Sequence, residues 1–366
     1  MHRLSKSITE GDLFNLLLKI IILLGMAINR GHGGFGWRYG LLDLSSNTNP
    51  LGAPKELLDL IREAVDQEHF THYPTELGDE LREALARYEG VDAGITYVFN
   101  GASEALQLLM MYLKPRRVII PIPNYSDYKR IAEFVGASTE YIEYWGSQDL
   151  INAITSKSGL NALVILSNPN SPMGYLISRD ELLALIDELS RHGTYLVIDE
   201  SFMDFVENNQ SLIRDCVGYE NLIIIKSYTK FLAIPGLRVG AVYTRIDIED
   251  LVPTWPVNSI AEYAVSRYMR YARDFRDMTI NFVREEMTRV LRALKSLGIH
   301  HYNTMTHYFV IRDEAWLGDE LRRRNILIRD LSNIPPLTKG YFRISLRSRE
   351  INDEFIRALS EIKQIK

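Results

Sequence analysis

One cysteine, Cys216, stands among 366 residues, so neither an intrachain disulfide nor a cysteine-based metal cluster can form. A reducing, cytoplasmic compartment is therefore expected. Basic residues are not in excess: 42 Lys and Arg face 47 Asp and Glu, a net charge of −5. Nucleic acid is therefore a poor candidate for the main partner. Internal repeats and low-complexity tracts are absent, and His300, His301 and His307 have no partner set of metal-ligand type around them, so no metal is expected. Long apolar runs are also missing. Residues 13–28 (LFNLLLKIIILLGMAI) come nearest, but they carry Lys19 near the middle and fall short of the roughly 20 residues that span a bilayer. No small-x-small cleavage site comes after them. Three readings of residues 1–25 stay open: a buried arm or helix, an extension upstream of a true start at Met26, or a membrane-targeting segment.

What is present describes a large globular protein. Hydrophobic residues make up 46% and charged residues 24%, a balance that excludes wholesale disorder and supplies a sizeable core. At roughly 150 residues per domain the length predicts two domains, or one large α/β domain with an appendage. KELLDLIREAVD and LGDELREALARYEG repeat apolar residues at helical spacing. Short apolar runs then alternate with helical stretches: ITYVFN, RRVIIPIP, STEYIEY, ALVILSNPN, TYLVIDES, NLIIIKSYTK. This alternation predicts a mostly parallel sheet with helices on both faces, its strands buried on both sides and hence without polar alternation. After about Pro253 a long helical stretch, HYFVIRD, a helix at LGDELRRRN, YFRISL and a terminal helix read as a second, smaller α+β domain.

In a parallel sheet, ligands gather beyond the carboxyl ends of the strands. Five such ends carry polar groups here: NGASEALQ, NYSDY, NPNSPMG, DESFMDF and SYTK. Any one of them is explained by turn composition; all five together define a pocket. Lys230 lies just after a buried strand, where an ammonium needs an anionic partner, a depressed pKa or a covalent bond to a carbonyl. Asp199 ends the apolar run YLVI, where an unpaired carboxylate is expensive. With the Ser and Thr of SYTK and an Arg in FLAIPGLR, these groups suit an aldehyde, a ring nitrogen and a phosphate, the three handles of pyridoxal 5′-phosphate.

The segment SYTKFLAIPGLRVG (residues 227–240) resembles the cofactor-lysine motif of fold-type I pyridoxal-phosphate enzymes, the aspartate aminotransferase superfamily, and the resemblance extends from about Gly31 to the C-terminus. It implies an N-terminal arm over residues 1–45, a cofactor-binding large domain over 46–270 with a mostly parallel sheet flanked by helices, and a smaller α+β domain over 271–366. It implies that Lys230 forms the Schiff base, that Asp199 pairs with the pyridinium nitrogen and that Tyr125 stacks on the ring. Ser227, Thr229 and Arg238, with Ala102 and Ser103 at a helix N-terminus, are implied phosphate ligands. Tyr73 is implied to reach the neighbouring subunit's cofactor phosphate, which makes the expected assembly a homodimer with shared sites. Arg343 is implied to clamp a substrate α-carboxylate.

Two positions depart from the common pattern. Ser171 stands where many relatives have Asn, so contact with the cofactor's phenolic oxygen is expected from Asn170 or Ser171. Phe202 replaces a common Tyr in DESF and removes a hydroxyl from the same oxygen. Phe at this place, GHGG at residues 31–34 and LDLSSNTNPLG at residues 42–52 resemble the branch of L-threonine O-3-phosphate decarboxylases of cobalamin synthesis, with the histidinol-phosphate aminotransferases next to it. That branch implies a small phosphorylated amino acid as substrate, held by His32, the Gly33 amide, Asn49, Arg343 and, as a second anion contact, Arg347. Phe35 stands where the branch has Asn.

Overall fold

The computed structural model describes residues 32–146 and 149–364. The apolar run of residues 13–28 lies outside them. The chain divides into two units, residues 1–33 and residues 34–366, and the second contains all of the strands and helices named below. Among the described residues, no helix is long and apolar enough to cross a membrane.

In chain order the strands are β1 (Leu42–Asp43), β2 (Thr96–Phe99), β3 (Arg117–Ile122), β4 (Ser138–Glu143), β5 (Ala162–Ser167), β6 (Tyr195–Asp199), β7 (Leu222–Ser227), β8 (Gly240–Thr244), β9 (His300–His301), β10 (Tyr308–Arg312), β11 (Ile326–Leu327), β12 (Arg329–Asp330) and β13 (Tyr341–Ser345). Seven of them form the main sheet in the order β2-β8-β7-β6-β5-β3-β4. The ladders from β4 through β7 are parallel, while β8 runs antiparallel to both of its neighbours. The chain reversal between β7 and β8 occupies the segment that carries Lys230, so this lysine and Gly240 lie at the same end of the sheet.

Residues of β5, β7 and β8 are buried throughout, as expected of a sheet covered on both faces. The run STEYIEY departs from that expectation. As β4 it is the sheet edge, and Ser138, Tyr141 and Glu143 are exposed. Its charged residues suit an edge, where unpaired backbone groups need protection from another chain. The flanking helices follow their apolar spacing: Lys55–Asp66 buries Leu57 and Ala64, and Asp79–Glu89 buries Leu81, Ala84 and Leu85. Arg179–Arg191 begins with a reciprocal capping box between Ser178 and Glu181, which satisfies two otherwise orphaned amides.

The C-terminal stretch forms a second sheet in the order β12-β13-β10-β9, antiparallel at each ladder. The 25-residue helix Ala272–Ser296 and the helix Arg349–Gln364 pack with it around Phe309, Ile311, Leu321, Phe342 and Phe355. Leu44 belongs to this core, because β1 pairs in parallel with β11. That pair is a separate two-stranded sheet, and the residues preceding the first long helix are tied to the C-terminal sheet by the Ser345 amide, which donates to the Leu44 carbonyl at 2.9 Å.

Candidate active site

Lys230 occupies the one-turn helix Tyr228–Phe231 directly after β7. Its carbonyl accepts from the Asn49 amide at 2.9 Å, and Asn49 Nδ2 donates to the carbonyl of Phe231 at 2.9 Å and to Thr279 Oγ1 at 2.8 Å. Asn49 therefore anchors the turn that carries the lysine. Both Nδ2 donors are taken up by that task.

The Lys230 ammonium has no carboxylate within ion-pairing distance among the described residues. Burial, followed by the guanidinium charges of Arg343 and Arg238, lowers its pKa to about 8, and only Asp199 opposes the shift. Asp199, at the end of β6, accepts from the Tyr128 hydroxyl at 2.8 Å and from the Ser201 amide at 2.9 Å. Burial raises its pKa while these hydrogen bonds and Lys230 pull the other way. A buried carboxylate with two neutral donors and no paired cation suits a protonated ring nitrogen.

A cradle lies nearby. Gly101, at φ 84°, precedes the helix Ala102–Leu113, and a Cβ on it would come within 2.5 Å of Arg238 Nη2. A Cβ on Gly240 would come within 2.4 Å of the Ala102 amide nitrogen. Both glycines thus keep the approach to the helix N-terminus open, where the first amides have no partner within the helix. The hydroxyls of Ser227 and Thr229 meet at 2.7 Å. Arg238 is held in the left-handed region at φ 57°, a backbone cost of about 1–3 kcal/mol that the surroundings must offset. Its Nη1 donates to the Pro235 carbonyl at 3.3 Å, a neutral acceptor that leaves the guanidinium charge uncancelled. Tyr125 packs its ring edge-on to Tyr128 at 5.4 Å, and its amide is fixed by Asn124 Oδ1 at 2.9 Å.

Arg343 comes from β13. Its Nη1 reaches Ser171 Oγ at 3.4 Å, its Nη2 donates to the Ser45 carbonyl at 3.1 Å, and its guanidinium lies 5.5 Å from the Tyr308 ring centre. Nε is buried without a partner. Burial lowers its pKa to about 10, with the Tyr308 hydroxyl opposing and Arg329 adding to the shift. An anion would relieve this strain.

Two more expected contacts are redirected by the geometry. Arg347 donates Nε to the Asp43 carbonyl at 2.7 Å, Nη1 to the Thr48 carbonyl at 3.1 Å and Nη2 to the Ser46 carbonyl at 2.6 Å. It is a clamp on residues 43–48, with little donor capacity left for a second anion. Asn170 turns its amide to the Pro123 carbonyl at 3.0 Å and its oxygen to the Met173 amide at 2.9 Å. Of the two candidates for the phenolic oxygen, Ser171 keeps the freer side chain. His32 and Gly33 belong to the first unit, and their roles rest on the resemblance.

Two residues that the linear sequence does not single out join the site. Arg329 is the ladder partner of Arg343 across β12 and β13, with Nη1 on the Asp330 carbonyl at 2.5 Å and Nη2 on Asn333 Oδ1 at 2.8 Å, and Tyr308 donates its hydroxyl to the Asn170 carbonyl at 2.7 Å while meeting Phe202 edge-on at 5.0 Å. A lone Arg ending the apolar run NILI was the available signal for the first. His307 is fully buried beside Phe205, and burial holds its ring neutral.

Residues 39–359 match the family model Aminotransferase class I and II. The threonine-phosphate decarboxylase of Salmonella typhimurium is 30% identical over 345 residues, 88% of this chain and 91% of that protein. The crystal structure of a histidinol-phosphate aminotransferase from Clostridium acetobutylicum superposes with a TM-score of 0.80 at 26% identity, covering 89% of this chain and 100% of the other. That of an L-threonine-O-3-phosphate decarboxylase from Porphyromonas gingivalis gives 0.79 at 26% identity, covering 88% and 100%. The chain belongs to the class I and II aminotransferase family and has the fold-type I architecture. Its cofactor is pyridoxal 5′-phosphate, as in that family, and the uncompensated Lys230, Asp199 and Arg238 fit the aldehyde, ring nitrogen and phosphate of the group.

This environment makes cofactor capture pH-dependent. Reaction with the aldehyde requires the neutral amine, and with a Lys230 pKa of about 8 the amine becomes available well below the usual lysine range. Capture of pyridoxal phosphate by the cofactor-free protein, followed by visible absorbance, should accelerate with rising pH with its midpoint near 8. Asp199→Asn removes the anion that favours the ammonium, so its midpoint should fall. A midpoint at the ordinary lysine value in the native protein would contradict the proposed environment.

Proposed function

We propose that the protein is a lyase that decarboxylates L-threonine O-3-phosphate to (R)-1-aminopropan-2-yl phosphate, working as a homodimer. The observation that carries this reading is Arg343, which faces Lys230 closely enough to depress its pKa and whose buried Nε has no partner among the described residues, a fork that suits a substrate carboxylate. The likeness to a threonine-phosphate decarboxylase over most of both chains supports it. Phe202 adds support, since it lacks the hydroxyl common among the aminotransferases of the superfamily.

When bound, pyridoxal phosphate supplies an aldehyde for the substrate amine and a ring that accepts the electrons of the broken bond. Lys230 would hold the group covalently and, once released by the substrate amine, would take up a proton as an ammonium. Asp199 keeps a proton on the ring nitrogen, and the Tyr128 hydroxyl and Ser201 amide hold that carboxylate in place. Arg343 would bind and orient the substrate carboxylate. The Lys230 ammonium would then supply the proton that takes the place of the departed carbon dioxide at Cα. The contacts to the phosphate ester in this reading are those that the resemblance implies, His32 and the Gly33 amide. Tyr73 completes the partner's phosphate cradle in this reading; its ring is 75% exposed and stacks on Trp255 at 3.9 Å, presenting an aromatic pair on the surface.

The test is dependence on the ester phosphate. Its remote binding energy fixes Cα geometry, so plain threonine should lose kcat as well as affinity. His32→Ala should narrow the gap between phosphorylated and plain threonine by reducing turnover of the former alone. Equal turnover of the two substrates by the native protein would overturn the assignment.

A further inference from the structure

A second concentration of positive charge lies apart from the cofactor residues, against the opposite side chains of β7. Ser227 serves the phosphate cradle, and its neighbour Lys226 must point to the other face of the sheet. There the Lys226 ammonium is buried and paired with Glu89 at 2.7 Å and Asp204 at 3.1 Å, and Tyr88 donates to Asp204 at 2.9 Å. The cluster forms part of the wall of a cavity of about 390 Å³, in which Arg214, Arg273 and Arg276 face the carboxylates Glu89, Asp204 and Asp277.

The three arginines are positioned by neutral groups. Arg214 Nε donates to the Glu89 carbonyl at 3.1 Å, Arg273 Nη2 to the Tyr88 carbonyl at 2.8 Å and Arg276 Nη2 to the Val206 carbonyl at 2.5 Å. None of the three has a carboxylate within ion-pairing distance among the described residues, and Arg276 Nε is buried with no partner at all. Arg179, also on the lining, is neutralised by Asp215 at 2.6 Å. Asp277 and the surplus negative charge of the Lys226 cluster offset part of the arginine charge, and the cavity still faces inward with three fixed forks. In a chain with net charge −5, such a group is not a by-product of overall basicity. A second cavity, of about 430 Å³, adjoins the first; it shares Tyr88 and Arg273 and adds Arg270, which likewise has no carboxylate partner among the described residues. The shared residues join the two cavities into one arginine-lined track.

We propose that this track binds a linear polyphosphate group, of the kind carried by a nucleoside di- or triphosphate, at a site distinct from the active site. Carbonyl bonds set the guanidinium planes in advance, so ordering costs are small, and each fork can take phosphate oxygens in bidentate fashion. The Tyr88 ring floors the junction between the two cavities.

The experiment is calorimetric titration of the holoenzyme with tripolyphosphate, ADP, adenosine and inorganic phosphate. Tripolyphosphate and ADP should bind once per chain and adenosine should not bind. Inorganic phosphate should bind at least tenfold more weakly than tripolyphosphate. Equal affinity for tripolyphosphate and ADP assigns recognition to the phosphates alone; tighter ADP binding adds a base contact within the same site. Arg273→Ala and Arg276→Gln should each weaken binding at least tenfold, and Arg343→Ala should leave it unchanged. Hydrogen exchange on the native holoenzyme gives a readout free of folding defects: tripolyphosphate should protect residues 203–214 and 272–277. Absence of both heat and protection, or binding lost in Arg343→Ala but kept in Arg273→Ala, would overturn the proposal.

Discussion

Lys230→Ala should abolish the covalent attachment of pyridoxal phosphate and lower turnover by on the order of 10⁴-fold, since one side chain is asked to act as both nucleophile and proton donor. The substitution removes a charge that is paired with no carboxylate among the described residues and that burial already disfavours, so folding should survive it. The cofactor should still associate through Arg238, Ser227, Thr229 and the amides of Ala102 and Ser103. The checks are the visible absorbance band of the native protein and fixation of the cofactor by borohydride. A variant that retained a borohydride-fixed cofactor would show that another lysine forms the bond.

Arg343→Ala should produce the second-largest loss. Removing one member of a buried, hydrogen-bonded charge pair costs about 2–4 kcal/mol, roughly 30- to 1000-fold in kcat/KM. Arg343→Lys should recover little of this, because an ammonium cannot reproduce a planar two-point contact. The Ser45 carbonyl and Ser171 hydroxyl also lose a donor, so cofactor absorbance should be recorded alongside to separate substrate binding from collapse of the site. A fall of less than threefold, with absorbance intact, would remove Arg343 from the substrate's carboxylate.

The groups legible in the sequence were those whose position alone specifies their chemistry. Lys230 and Asp199 come after apolar strands of a parallel sheet, and the carboxyl ends of such strands converge whatever the loops do. The fold was legible for the same reason, through apolar runs alternating with amphipathic helices. Side-chain direction was not. Asn49, Asn170 and Arg347 stand in segments that border the site, yet each is committed to backbone carbonyls or amides that only the folded loop presents. The register of Arg329 opposite Arg343 is a cross-strand relation with no signature in linear spacing. Tyr308 was hidden in a run that reads as core, and it is core except for its hydroxyl on the Asn170 carbonyl.

Whether this site breaks the bond from Cα to the carboxylate and leaves Cα–H intact is tested most directly by incubating the holoenzyme with carboxyl-labelled L-threonine O-3-phosphate, with and without 2-oxoglutarate. Released carbon dioxide is counted against glutamate formed. Decarboxylation predicts one carbon dioxide per substrate consumed, the same rate whether or not the oxo acid is present, and no glutamate. Glutamate accumulation that depends strictly on the oxo acid, with the label kept in the organic product and histidinol phosphate a better donor than threonine phosphate, would contradict it and make the protein an aminotransferase.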